Sequence, residues 1–151
     1  PEEEVLKALR LNNNLPFAAK HFLDEGLLKI RDEFIADISG IIKEGKDITE
    51  LSNRWINEED SLNLKLEWMS LLLSDTIKFN ADEAKDTINP DTDNISKYLS
   101  KHSNIENLHQ LLNKTNSLWN LFSRDTNLRK DYQLNSLFVD WERDLGISKK
   151  I

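Results

Sequence analysis

Cysteine is absent from all 151 residues, which removes disulfides, a thiolate nucleophile and every Cys-based zinc or iron–sulfur site in one step. That absence fits a reducing, cytoplasmic setting. Glycine and proline are almost missing as well, at 4 and 3, and valine numbers 2 against 24 leucines and 13 isoleucines. So few turn and strand formers favour long uninterrupted helices, and the fold class is all-α. No apolar run approaches the ~20 residues that would span a bilayer, so no membrane partner is expected. Basic residues are outnumbered, 20 against 27 acids, for a net charge of −7. With 38% hydrophobic and 31% charged residues, the composition is that of a soluble globular chain, long enough to bury roughly two thirds of its unfolded surface.

What is present is helical periodicity. Segment 2–11 carries Val5, Leu6, Leu9 and Leu11, then breaks at Asn12-Asn13-Asn14, residues that compete with helix by bonding to nearby backbone. Pro16 opens a short helix over 15–24 with Leu15, Phe17, Ala18 and Phe22 apolar, and Gly26 stands where a helix-terminating glycine would sit. Leu27, Ile30, Phe34, Ile38 and Ile41 then recur at spacings of 3 and 4, an amphipathic stripe broken at Gly45. Asp47-Ile48-Thr49-Glu50 has the form of a capping box and opens a helix with Ile48, Leu51 and Trp55 on one face.

The strongest core element is 58–79. Leu62, Leu66, Met69, Leu73 and Ile77 keep helical spacing, while Trp68, Leu72 and Phe79 widen the apolar face beyond half the circumference. Such a helix needs neighbours on two sides. Residues 80–94 turn polar and read as the longest loop, followed by a short helix over 93–101 with Ile95, Tyr98 and Leu99. Ser103-Asn104-Ile105-Glu106 reads as a second capping box, opening a helix to about residue 123 with Ile105, Leu108, Leu111, Leu112, Leu118, Trp119 and Phe122. The last helix, 127–145, turns Leu128, Leu134, Phe138, Trp141 and Leu145 inward and Asp131, Asp140, Glu142 and Arg143 outward, and Gly146 stops it.

Catalytic and cofactor chemistry finds no foothold in this pattern. The four glycines are isolated, with neither a G-x-S-x-G elbow nor a phosphate-cradling loop. His21 and Asp24 supply half a metal site at most, and His102 and His109 are separated by a helix restart at Ser103-Asn104. Glu58, Glu59 and Asp60 read as a helix-initiating acidic cluster rather than an acid–base pair, since nothing builds an apolar pocket around them. Arg129-Lys130 and Lys149-Lys150 are the longest basic features, too little for duplex contact in an acidic chain. The expectation is no catalytic residue, no cofactor and no metal. The functional signal that remains is surplus apolar face on 58–79 and 127–145, and it nominates Trp68, Leu72, Phe79, Leu134, Leu137, Phe138 and Trp141 as a subunit interface.

Three stretches resemble a known family. Ala8-Leu9-Arg10-Leu11 with its asparagine turn and Leu15-Pro16-Phe17-Ala18-Ala19-Lys20 is similar to the end of the AAA+ lid in bacterial clamp-loader subunits. Leu51-Ser52-Asn53-Arg54-Trp55 and Leu64 to Asp75 resemble the opening of the C-terminal collar domain of the delta-prime subunits of DNA polymerase III. Leu134 to Trp141 is similar to that domain's closing helix, with Asn135 where the family commonly has Glu and Asn12-Asn13-Asn14 in place of its glycine-bearing turn.

The resemblance implies a lid remnant and connecting helix over 1–45, then a collar bundle of about five to six helices over 46–151. It implies a non-catalytic oligomerisation part of a clamp loader, within a holoenzyme that is a DNA-directed DNA polymerase. Delta and tau/gamma subunits would be its direct partners, and the sliding clamp and primed DNA would be met only through the assembled complex. Pro1-Glu2-Glu3-Glu4, an N1 proline and acidic first turn without a cap, then reads as a cut in a longer chain. Two other readings compete: a small helical enzyme or ligand-binding domain with a pocket lined by Trp55, Trp68 and Trp119, and direct nucleic-acid binding.

Overall fold

The computed structural model describes residues 2–44, 47–81, 90–124 and 129–146, with the side chains of Glu44 and Pro90 left aside. Among them lie eight α-helices and no strand: α1 (Glu2–Leu11), α2 (Pro16–Asp24), α3 (Leu27–Ser39), α4 (Ile48–Asn57), α5 (Glu59–Asn80), α6 (Asp93–His102), α7 (Ile105–Arg124) and α8 (Lys130–Leu145). The all-α expectation holds, with more helices in total than the five or six assigned to the bundle, and α4 to α8 are the five that follow residue 46. The expectations for Pro1, Gly45, the middle of the 80–94 loop, Leu128 and Lys149-Lys150 fall outside the described residues.

Local chemistry accounts for the helix ends. Asn13 and Asn14 take φ of 55° and 61°, and the Asn14 N–H donates to the Leu9 carbonyl at 2.6 Å, so two asparagines supply the left-handed turn that glycine usually makes. Gly26 has φ +69° and joins α2 to α3 without strain. Asp47 caps α4 as its spacing predicts, accepting from the Glu50 N–H at 3.1 Å. The second capping box read at Ser103–Glu106 does not form; the cap falls one residue later. Asn104, not Ser103, accepts from the Glu106 N–H at 2.7 Å, and the buried Ser103 hydroxyl has no hydrogen-bond partner. Asn104 directly precedes α7 and so holds the N-cap position, from which a side-chain oxygen meets the second helical N–H. After α3 the helix widens into a π-turn over Gly40–Glu44 that leaves the adjacent Ile41 and Ile42 both buried. Gly146 follows the last turn of α8 where only glycine fits, since a Cβ there would lie 2.3 Å from the Glu142 carbonyl oxygen.

The long helix α5 is the centre, packed against α7, α6 and α4, while α8 lies against α4, α7 and the π-turn. Leu62, Leu66, Met69, Leu72 and Leu73 are buried, as are Ser61, Lys65, Ser70, Asp75 and Thr76, so α5 is enclosed more widely than its apolar face alone implies. Facing it are Leu108, Leu111, Leu118 and Phe122 of α7, and the core continues through Leu134, Leu137, Phe138, Trp141 and Leu145 of α8. Residues on either side of position 45 share this core: Phe34 of α3 packs on Trp55 of α4 and Trp68 of α5, with ring centroids 6.0 and 5.3 Å apart. The N-terminal pair is different. It buries Ala8, Ala19 and Phe22, but Val5, Leu6, Leu15 and Phe17, all apolar in the sequence reading, stay exposed, Phe17 at 90%.

Candidate subunit interface

Among the described residues no three histidine, aspartate or glutamate side chains converge as metal ligands. His21 and Asp24 do not gather a third ligand, and Glu106 and His109, a pair with metal-type i, i+3 spacing on α7, are both exposed. His102 is stacked on Tyr98 at 4.2 Å. No helix among the described residues is long and apolar enough to cross a membrane. Trp55 and Trp68 are buried and Trp119 half-buried, and none of the described hollows has a tryptophan in its wall. One hollow, about 560 Å³, is a trough along α4 lined by polar residues that include Asp47, Glu50, Arg54 and Glu58. Among the described residues, Trp55 and Trp68 are spent on packing with Phe22, Phe34 and Phe138.

The polar groups that do converge are structural, and they sit where α3, α4 and α5 meet. Asp37, buried on α3, accepts from Arg54 at 2.6 Å and from the Trp55 indole N–H at 2.9 Å. That bond, with the Asp37 and Glu58 charges nearby, raises the Arg54 pKa against a smaller lowering by burial. Lys65 is fully buried, reaches Glu58 at 2.7 Å and lies 5.2 Å over the Trp55 ring. In the sequence Glu58 shows only as part of an acidic helix start; its partner seven residues on makes it the counter-ion of a buried ammonium. Arg31, also buried, makes a bidentate pair with Asp91 at 2.8 and 2.7 Å and rests on Phe34 and Trp68.

Of the seven residues that the sequence offers for a subunit interface, six are buried in this chain's own core and Phe79 is half-buried. Phe138 meets Trp55 edge-on at 4.9 Å. The Trp141 indole N–H donates to Thr115 at 3.3 Å, and Trp68 serves Phe22 and Phe34. The apolar surplus of α5 and α8 thus goes into intramolecular packing.

Besides the exposed apolar side chains of α1 and α2, a second group lies on the outer side of α7 and α8. Tyr132 and Val139 are 67% and 45% exposed, seven residues apart on one face of α8, and Leu121 is exposed on α7. Between the helices runs a hollow of about 210 Å³, walled by Leu118, Leu121 and Tyr132 on its apolar side and by Ser117, Gln133 and Ser136 on its polar side. Lys114 closes one end, paired with Asp140, which also accepts from Arg143 at 3.0 Å. Sequence reasoning misses Tyr132, Val139 and Leu121 because the dense apolar face outweighs them. The i, i+7 spacing of Tyr132 and Val139, opposite Leu134, Phe138 and Trp141, is the signal that could have found them.

The family described as "DNA polymerase III, delta subunit, C terminal" matches residues 25–143, from just before α3 to near the end of α8. "DNA polymerase III subunit delta'" of Buchnera aphidicola subsp. Schizaphis graminum (strain Sg) is 28% identical over 144 residues, covering 93% of this chain. The chain spans 42% of that relative's length. No solved structure matches.

Proposed function

Since this chain belongs to the family of C-terminal domains of DNA polymerase III delta, we infer that it is the non-catalytic collar part of a delta-prime protein of the clamp loader. The observation that carries the reading is the family match laid over a packed helical bundle. On this reading the helices stand beside those of delta and tau/gamma subunits in the cytoplasm and hold together the complex that loads the sliding clamp on primed DNA. Clamp and DNA are met through the assembly, and the chain needs no cofactor. Residues 1–45 serve as the end of the AAA+ lid and its connecting helix, and 46–151 as the oligomerisation domain.

The seven residues nominated from the sequence act from beneath: Trp68, Leu72, Phe79, Leu134, Leu137, Phe138 and Trp141 set the spacing of α5 and α8, and Tyr132, Val139 and Leu121 meet the neighbour. Exposed apolar side chains beside a shallow groove support this division, because a partner gains most by covering surface that folding has left wet. The test is reconstitution of the full-length chain with delta and tau/gamma. Joint Tyr132→Ser and Val139→Asp substitution is expected to weaken co-assembly by at least about tenfold, roughly 1.4 kcal/mol, while Tm stays put. Wild-type chain that fails to co-assemble would remove the collar reading, and co-assembly untouched by the double variant would move the interface elsewhere.

A further inference from the structure

The buried pair Arg31–Asp91 does more than join two remote points of the chain. Arg31 lies on Trp68 and Phe34, with its guanidinium carbon 5.0 and 5.3 Å from the ring centres, and both of its bonds to Asp91 are short. Trp68 is also the ring that Phe22 of α2 packs on, at 6.4 Å. One guanidinium therefore fixes the indole that receives the N-terminal pair of helices. The hairpin is also held by Ala8 and Ala19, buried in the same continuous core, and by the exposed Lys7–Asp32 pair at 2.9 Å between α1 and α3. Between α1 and Asp91 lies an open hollow of about 370 Å³, with Leu6, Lys7, Arg10 and Leu11 on one side and Asp91 on the other. The connection to α3 passes through Gly26 in its left-handed turn.

We propose that the Arg31–Asp91 pair is a latch that sets the angle of the α1–α2 hairpin against the bundle, with Gly26 as its pivot. Three features bring the hairpin within its reach: the left-handed turn at Gly26, the Phe22–Trp68 contact on an indole that the guanidinium lies against, and open space beside α1. When the pair is broken, the guanidinium on Trp68 is no longer held from its far side, and the wall of the hollow beside Lys7 and Arg10 loses a fixed carboxylate. The hairpin then takes up positions that the intact pair forbids, while α5, α7 and α8 keep their own packing.

The absence of cysteine makes the test direct, because introduced thiols are the only ones in the chain. Spin labels at Glu4→Cys on α1 and Asn113→Cys on α7, both exposed positions, report the hairpin; labels at Asn63→Cys and Asn113→Cys report the bundle alone. In the otherwise wild-type chain both distance distributions are expected to be single and narrow. Asp91→Asn is expected at least to double the width of the first, or shift it by several ångströms, and to leave the second unchanged. If both distributions broaden together, or neither does, the latch is refuted and the pair only supports overall stability. Should the Asn variant fail to fold, Asp91→Glu, which keeps the charge but moves it by one methylene, is read on the same two label pairs and judged by the same outcomes.

Discussion

The α3–α4–α5 junction and the α7–α8 pair are both well packed, yet they treat charge in opposite ways. At the junction Arg31, Asp37 and Lys65 are buried, each matched to an opposite charge, and both cations rest on aromatic rings. Between α7 and α8 the buried polar contact is neutral, Trp141 to Thr115, and the charges Lys114, Asp140 and Arg143 stand at the rim. Removing one member of a buried pair leaves an uncompensated group in low dielectric, whereas a rim charge recovers water. The junction is thus built to hold one internal geometry, and the α7–α8 face is free to meet something else.

The difference can be broken or sharpened by substitution. Trp55→Ala removes a fully buried ring touching Phe34 and Phe138 and takes a donor from Asp37, so it is expected to cost about 3–5 kcal/mol by chemical denaturation. Asp37→Ala leaves the Trp55 N–H unpaired and should cost about 1–3 kcal/mol. Asp140→Ala, at the rim, is expected to cost less than about 1 kcal/mol in the same measurement. A cost for Asp140→Ala equal to that of Asp37→Ala would erase the contrast.

The smallest effect concerns Glu67 on α5, whose pKa burial raises. A raised folded-state pKa means that stability is fully present below the ordinary glutamate pKa and is lost as pH rises through the folded value. Glu67→Gln is therefore expected to raise Tm slightly at neutral pH. The gain should vanish on acidification below the ordinary value, as thermal melts across pH would record.

Much of the fold is legible without coordinates. Most helix starts and ends fall within a few residues of where apolar spacing and caps put them, because a 3.6-residue period and a capping side chain act within one or two turns of chain; α3 is the exception, ending at Ser39 in a π-turn ahead of the break read at Gly45. Where local reasoning slips, it slips locally, as with Asn104 taking the cap from Ser103. The interface is harder. Composition marks α5 and α8 as over-rich in apolar residues, but nothing along the chain says whether such a face meets a partner or another helix of the same molecule. Nor does it reveal that Arg31, Asp37 and Lys65 are interior.

An all-helical, cysteine-free, acidic chain without a recognisable catalytic motif follows from residue types and short-range spacing alone. That Trp68, Phe138 and Trp141 turn inward while Tyr132 and Val139 stay exposed is a consequence of the three-dimensional packing. That packing also decided that Arg31 answers Asp91 across 60 positions and Asp37 answers Arg54 across 17. Those outcomes depend on which faces become neighbours in space. A buried charge is tolerated only where packing brings its counter-charge within hydrogen-bond reach, and no local pattern encodes that distance.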